Sequence, residues 1–287
     1  MPSLALIAWP YDGGLADVGM GLGASVLSAD EDLLSTLRGE VDELTAERVA
    51  PVDESRPEVW RVFELDRRLA RHVADARRRR QFPLVVAGNC VSCLGTTAGA
   101  RGGPELGVVW LDAHADFDTP DDNLSGFTDV MGLSVLTGGC WRALRETIPG
   151  FSAVSEDHVV LIGTRDLEDY QAMRLAASRM RVVGGSADPD EVRSALDDLR
   201  RRVTQVYLHV DLDVLDVSVG HANPYASPGG PDVGRVLMAI TETFGRFGVA
   251  AAAMTAYDPR VDHDGAIAGA ARLLAQCIAR LSSVARR

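Results

Sequence analysis

The chain has 287 residues and a formal net charge of −12, from 29 basic and 41 acidic side chains. Its 46% hydrophobic and 24% charged residues are ordinary for a globular protein and exclude disordered, collagen-like and coiled-coil chains. A chain this acidic repels phosphate backbones and anionic lipids, so we expect neither a nucleic-acid nor a membrane partner. The length suits one large domain, and we predict a single domain over residues 1–287.

The termini and cysteines indicate the compartment. The N-terminal apolar run is too short for a signal peptide and lacks basic residues before it. We find no stretch that approaches the roughly 18 apolar residues of a spanning helix. The four cysteines form no dense disulfide framework, so we expect a reducing cytoplasm. They are Cys90, Cys93, Cys140 and Cys277.

Short apolar runs alternate with amphipathic segments along the chain. The runs predict buried strands at 4–9, 84–87, 107–111, 159–163 and 206–210, with a weaker one at 249–255 whose alanines also suit a helix. The amphipathic segments predict helices at 57–80, 188–203, 233–247 and 266–284. This alternation is typical of an α/β domain with a mostly parallel sheet, in which ligands bind at the carboxyl ends of the strands.

Two of these strands end in clusters of acidic residues. Asp112, His114 and Asp116 follow the run 107–111 at alternate positions, which in an extended chain point to one face. Asp211 and Asp213 repeat the pattern after the run 206–210. Carboxylates and imidazole suit a divalent metal ion, and without a cation such a cluster repels itself. An ordinary polar loop is the alternative interpretation.

A third strand leads into a turn that contains two cysteines. Gly88 permits a tight turn, after which Cys90 lies near a helix N-terminus, where a thiolate is favoured. The spacing to Cys93 also fits a redox pair, although the aromatic and proline neighbours of such a pair are missing. For Cys93 the alternative is a small buried residue, whereas the strand-end position of Cys90 favours a role in a site.

These motifs, in this order, resemble those of the arginase, or ureohydrolase, family from Leu4 to the C-terminal helix. The resemblance implies a three-layer α/β/α fold with an eight-stranded, mostly parallel sheet. It also implies two manganese ions at the strand ends, where a bridging hydroxide attacks the carbon of a guanidinium or formimidoyl group.

The resemblance assigns most of the metal ligands. Asp112 and Asp211 match the two carboxylates that bridge both ions. His114 and Asp213 match ligands of one ion, and Asp116 matches a ligand of the other.

The remaining ligand departs from the family pattern. Cys90 stands where the family motif Gly-Gly-Asp-His-Ser has its histidine. A thiolate is a soft ligand, so manganese is the first expectation and Cys90 extends the choice to zinc, iron or cobalt. A subset similar to the hydroxyarginine-hydrolysing enzyme of D-cycloserine biosynthesis also has cysteine at this position.

The residues at the substrate-binding positions depart further from the family pattern. Asp118 and Phe127 replace two asparagines that hold an amino acid's α-carboxylate, whereas Ser125 keeps its spacing from Asp116 and is a candidate carboxylate anchor. Asp129 stands where a histidine acts as the proton shuttle, so it is the candidate catalytic residue, because a carboxyl with a raised pKa can also transfer protons.

Three more substrate positions follow from the resemblance. Glu168 keeps the carboxylate that contacts the substrate's α-amine, and Tyr225 lies where the family has a threonine. Ala256 replaces the glutamate that clamps the guanidinium, and a buried cation without its counter-charge loses several kcal/mol.

We therefore predict a dinuclear metal hydrolase that cleaves a C–N bond of a guanidino, amidino or related amide substrate other than arginine. One alternative is a hydroxyarginine or arginine amidinohydrolase, and another is a metal-binding pseudoenzyme of the same family. The expected partner is a small molecule, and the expected assembly is a monomer or a small homo-oligomer.

Overall fold

A computed structural model of the chain describes residues 2–100, 105–123 and 125–284. Among these residues, eight strands form one sheet in which every neighbouring pair is parallel. Its strands are β1 (Ser3–Trp9), β4 (Glu43–Arg48), β5 (Phe82–Ala87), β6 (Leu106–Leu111), β7 (Val159–Thr164), β8 (Arg181–Gly184), β9 (Gln205–Asp211) and β10 (Gly248–Thr255). A small antiparallel hairpin pairs β2 (Tyr11–Asp12) with β3 (Leu15–Ala16).

The spatial order of the sheet is β4-β1-β5-β10-β9-β6-β7-β8. Four central strands, β5, β10, β9 and β6, are therefore adjacent although they are distant in sequence. Because the strands are parallel, their carboxyl ends meet at one edge, and the register pairs Ala87 with Thr255 and Thr255 with Asp211. The ends of β5, β10 and β9 thus lie level with one another.

Helices cover both faces of the sheet. They are α1 (Gly19–Ser28), α2 (Glu31–Glu40), α3 (Glu58–Arg78), α4 (Cys93–Ala100), α5 (Gly132–Leu136), α6 (Arg142–Arg145), α7 (Asp169–Ala177), α8 (Pro189–Arg200), α9 (Val233–Arg246) and α10 (Ala266–Val284). Alternate residues of β1 enter two separate cores: Leu4 and Leu6 pack with α1, α2 and α10, whereas Ala5 and Ile7 pack with α3 and α4. The predicted three-layer α/β/α fold is confirmed.

The six strands predicted from apolar runs are present within two residues of their predicted bounds, including the weaker one, which is β10. The two strands that apolar runs do not reveal are the sheet edges, β4 and β8. Edge strands are half exposed, and β4 reads Glu-Leu-Thr-Ala-Glu-Arg with no fully buried residue. They therefore lack the continuous apolar pattern that identifies a strand buried on both faces.

One helix, predicted with its observed bounds, is more apolar than the sequence analysis allowed. Among the described residues, Ala266–Val284 is the one helix whose length and composition would suffice to span a bilayer. In the fold it packs against α2, α9 and β10, and 56% of its most apolar window is buried inside the protein. The same composition is typical of a core helix.

Helix α8 offers a small, local test of the fold. Its N-cap residue Asp188 accepts hydrogen bonds from the backbone N–H groups of Asp190 and Glu191. Because Asp188→Ala leaves these two donors without their cap, we expect a loss of about 1 kcal/mol of unfolding free energy by urea denaturation. Asp198→Ala, which removes only an exposed i,i+3 pair with Arg201, is the control and should change stability by less than about 0.5 kcal/mol. Equal losses of unfolding free energy in the two variants would contradict the capping role of Asp188.

Candidate metal centre

The acidic clusters lie where the central strands end. Asp112 directly follows β6, Asp211 is the last residue of β9, and Asp213 lies in the single helical turn that comes next. On the other side of β10, β5 ends at Ala87 and is followed by Gly88, where an added Cβ would lie 2.2 Å from the carbonyl oxygen of Tyr11. This close approach requires glycine and leads the chain into the turn that begins at Cys90.

Hydrogen bonds hold the two strand-end aspartates in fixed orientations. The indole Nε1 of Trp110 donates to Asp112 Oδ2 at 2.8 Å, and the backbone N–H of His114 donates to Asp112 Oδ1 at 2.7 Å. Asp211 Oδ1 accepts from the backbone N–H of Asp213 at 2.8 Å, and Asp211 Oδ2 lies 2.8 Å from Cys90 Sγ. Each carboxylate thus keeps its remaining lone pairs directed at the cluster.

His114 lies on one side of the cluster. Its Nδ1 is 3.4 Å from an oxygen of Asp112 and 3.4 Å from an oxygen of Asp213, and its Nε2 is 3.8 Å from Asp166. Burial lowers the pKa of the imidazole, but the two carboxylates beside it outweigh burial and raise the pKa to about 12. Burial likewise disfavours the charged form of Asp213, yet His114 lowers its pKa to about 2. The His114 imidazolium thus stabilises the carboxylates of Asp112 and Asp213 on this side of the cluster.

The other side of the cluster has no such partner in the described chain. Burial, followed by repulsion from neighbouring carboxylates, raises the pKa of Asp211 and of Asp116 well above their usual range. Burial raises the pKa of the Cys90 thiol in the same way. One oxygen of Asp116, Oδ2, is buried without a hydrogen-bond partner. These groups need a positive charge to be ionised together.

The donor atoms fit a divalent metal centre. They form three overlapping groups, in each of which all ligand atoms lie within 4.8 Å of one another: Cys90, Asp112, His209 and Asp211; Cys90, Asp116 and Asp129; and Asp112, His114 and Asp213. All six residues that the sequence assigned to metal are thus brought together, in two connected halves. The unpartnered oxygen of Asp116 and the mixture of carboxylate, imidazole and sulfur donors match what such an ion requires.

Asp129 belongs to the Cys90 half. Its Oδ1 accepts the backbone N–H of Val91 at 2.9 Å, and its side chain is buried. Burial raises its pKa to about 8. The charges of Asp12 and Asp112 add to this shift, and hydrogen bonds from backbone N–H groups oppose it. A carboxyl with this pKa is able to exchange a proton near neutral pH.

A cavity of about 360 Å³ opens above the cluster. Four of the residues predicted to bind substrate line it: Ser125, Phe127, Tyr225 and Ala256. The remaining wall combines apolar Met20 and Val130 with the metal-ligand candidates. Ser125 is exposed at the entrance, where its hydroxyl donates to Asn123 and accepts from the backbone N–H of Phe127.

The other two predicted substrate residues do not line this cavity. Asp118 is buried beside it and accepts hydrogen bonds from the Tyr170 hydroxyl and the Gln171 amide. Glu168 is the N-cap of α7, where it forms a capping box with Gln171. Both carboxylates are therefore engaged by α7, and their assignment as substrate ligands stays a prediction.

Two residues of the site, Asn223 and Thr255, carried no signal in the sequence. Asn223 donates from Nδ2 to Asp213 Oδ2 at 2.9 Å and to the backbone oxygen of Ala256 at 3.0 Å, which ties the ends of β9 and β10 together. Thr255 lies between Cys90 Sγ and His209 Nε2, at 3.2 Å from each. Burial lowers the pKa of His209 to about 3, so this imidazole is neutral.

Comparisons with known proteins agree with this geometry. The model of the Arginase family matches residues 2–280. An arginase of Bacillus caldovelox is 30% identical over 234 residues, which cover 76% of this chain and 78% of that protein. An arginase of Bacillus subtilis (strain 168) is 28% identical over 228 residues, which cover 75% and 76% of the two chains.

Solved structures have the same fold. The arginase of Bacillus caldovelox superposes with a TM-score of 0.83 at 25% identity, over 97% of this chain and 98% of that one. Proclavaminate amidino hydrolase from Streptomyces clavuligerus superposes with a TM-score of 0.67 at 21% identity, over 99% and 93% of the two chains. The second likeness is one of fold.

Proposed function

This chain belongs to the arginase family, whose members are metal-dependent C–N hydrolases with a dinuclear metal centre, and we propose that it hydrolyses a guanidino or amidino compound that lacks an α-carboxylate. The observation that supports this most directly is the pair of connected ligand groups at the floor of a cavity whose other walls are largely apolar. The substrate would thus be a small molecule other than standard arginine.

The two halves of the cluster would each hold one divalent ion. Asp112 and Asp211 lie between the halves, with His114 and Asp213 on one side and Cys90 and Asp116 on the other. When bound, the ions supply Lewis-acid chemistry: they polarise the substrate carbon and lower the pKa of a bound water toward neutrality. Manganese suits the oxygen and imidazole donors, whereas the sulfur of Cys90 favours zinc, iron or cobalt on its side.

The protein's own groups orient the substrate and these ligands. Asp166 faces His114 Nε2, which supports the imidazole with its Nδ1 directed at the cluster. Asn223 holds Asp213 and the Ala256 carbonyl, so the cavity wall and the ligand are positioned together. The proton-shuttle assignment of Asp129 stays a prediction, and its carboxylate lies beside Cys90 and Asp116.

The charge of the cavity argues against amino-acid substrates. No arginine is among its lining residues in the described chain, and the sequence contains no lysine. The lining includes the carboxylates of Asp116, Asp129, Asp211 and Asp213. A substrate carboxylate would find no arginine or lysine there to replace the water that it loses on binding, and His114, the one basic side chain among the described lining residues, is directed at the metal ligands. A cationic or neutral tail meets no such penalty.

A matched set of guanidines tests this proposal. Arginine, agmatine and butylguanidine have the same reacting group and differ in the tail, which carries a carboxylate and an ammonium, an ammonium only, or no charge. We expect kcat/KM for agmatine and butylguanidine to exceed that for arginine by at least about tenfold, since a cost of about 1.4 kcal/mol for the unpaired carboxylate is a factor of ten. Urea release by the metal-loaded enzyme is the measurement.

The outcomes separate the two parts of the proposal. If arginine or hydroxyarginine is the best substrate, the exclusion of the carboxylate is wrong and the amidinohydrolase alternative holds. If a protein with both ions bound releases neither urea nor ammonia from guanidino, hydroxyguanidino, formimidoyl and amide compounds, the hydrolase proposal itself is wrong.

A further inference from the structure

We propose that Asp129 is a ligand of the metal ion on the Cys90 side, so that this ion is held by Cys90, Asp116 and Asp129 in addition to the shared carboxylates. The inference rests on the proposed dinuclear function and adds one protein ligand to it. It also gives Asp129 a role different from the proton shuttle that the sequence predicts.

The juxtaposition of three ligand atoms carries the inference. The Sγ of Cys90 and one carboxylate oxygen each of Asp116 and Asp129 lie within 4.8 Å of one another. Two ligands of one ion, each at about 2.0–2.3 Å from it, lie up to about 4.6 Å apart. The bound of 4.8 Å is close to this limit, so the three side chains lie near enough to bind one ion with only small adjustments of their positions.

The backbone holds Asp129 in this position. The Val91 N–H donates to its Oδ1 at 2.9 Å, and Val91 belongs to the same helical turn as Cys90. Asp129 itself begins the turn that precedes α5, and this turn packs against the turn of Cys90. Because one oxygen is fixed by a neighbour of Cys90, the distance between the carboxylate and the sulfur is set by local structure.

The charges around Asp129 leave it in need of a cation. In the described chain, neither Asp129 nor Asp116 forms an ion pair with an arginine or a histidine. The charged or ionisable groups that act on them are Cys90, the carboxylates of Asp12, Asp112 and Asp213, and the His114 imidazole, whose Nδ1 lies beside Asp112 and Asp213. Their burial next to one another is costly unless an ion binds among them.

The donor chemistry also explains why a carboxylate is useful here. On this side Cys90 supplies a soft sulfur in place of the imidazole that the resemblance leads one to expect. A hard, anionic oxygen from Asp129 balances the sulfur and gives a mixed donor set suited to a borderline ion such as zinc or cobalt.

Cobalt titration of the full-length protein tests the assignment. A thiolate bound to Co²⁺ gives a charge-transfer absorption that reports occupancy of the Cys90 side, while total binding reports both sides. We expect the wild type to bind two ions and Asp129→Asn to bind the thiolate-coordinated ion at least about tenfold more weakly. Asp122→Asn, on the same loop but bonded to Thr119 and Arg174, is the control and should match the wild type.

The results that would contradict Asp129 as a ligand differ from those that would contradict the dinuclear centre. If Asp129→Asn binds both ions with wild-type affinity, Asp129 is not a ligand, and a loss of turnover in that variant would assign it to proton transfer. If the wild type shows no thiolate-coordinated ion, the proposed dinuclear centre fails as well. A crystal structure of the zinc-loaded wild type decides without a variant: we expect an Asp129 oxygen at about 2.0–2.2 Å from zinc, and a separation beyond about 3 Å would overturn the assignment.

Discussion

Asp211→Asn is expected to reduce metal binding to less than one ion per chain and to abolish measurable hydrolysis. Asp211 joins the two halves of the cluster, because Oδ1 accepts the Asp213 N–H and Oδ2 lies 2.8 Å from Cys90 Sγ. The amide keeps the shape of the side chain but removes one negative charge and one ligand lone pair. Loss of a group that merely supports a ligand costs about 10- to 100-fold in metal affinity, so loss of a central ligand should cost more. Metal analysis after equilibrium dialysis and urea release measure the two effects.

The ion-free protein gives the control for this substitution. Burial and the charges of Asp213 and Asp112 disfavour ionised Asp211, so a neutral amide should leave the ion-free protein as stable as the wild type or more so. The gain in thermal stability on adding metal should disappear in the variant. An ion-free variant that unfolds more readily would mean that Asp211 stabilises the fold, and a variant with wild-type metal content would refute the site.

Arg165→Lys is expected to destabilise the protein by about 3 kcal/mol or more. The half-buried guanidinium donates to six backbone carbonyl oxygens, which belong to Gly163, Asp213, Val214, Leu215, Ser227 and Pro228. These bonds attach the loop on which Asp213 lies to the end of β7. An ammonium has three donors and a different geometry, so several buried carbonyls would lose their partner. Urea denaturation measures the loss of unfolding free energy.

A matched substitution separates this effect from the general exchange of arginine for lysine. Arg142 has an 80% exposed side chain and a single ion pair with Glu146, so Arg142→Lys should change stability by less than about 0.5 kcal/mol. We also expect Arg165→Lys to weaken the metal site on the His114 side, because Asp213 is then less firmly held. A loss below about 1 kcal/mol in Arg165→Lys would contradict the bracing role.

The strands that position the site could be predicted because they are buried on both faces. The run that ends at Leu111 is continuously apolar, and the run that ends at Val210 is interrupted only by His209. Each leads directly into carboxylates, so both the strand and its functional end are visible in a local window. The edge strands β4 and β8 give no such pattern, because solvent covers part of each strand. Local sequence therefore predicted the centre of the sheet better than its borders.

Partners that depend on distant parts of the chain could not be predicted in this way. Asn223 reaches Asp213 only because the loop after β9 folds back over the end of β10, and the carbonyls around Arg165 converge through the same loop. The resemblance to the family assigned Asp118 to a substrate position, but α7 brings Tyr170 and Gln171 onto its carboxylate. Spacing within a motif indicates where a residue lies, whereas its hydrogen-bond partners depend on the tertiary fold.

The central claim is that two divalent ions bind between the ends of β5, β6 and β9. Metal analysis of the folded wild type, loaded in turn with manganese, zinc, iron and cobalt and then dialysed, tests this claim most directly. We expect two ions per chain with at least one of these metals, and Asp211→Asn processed in parallel sets the background. One ion per chain or none in the correctly folded wild type, with every metal, would contradict the account.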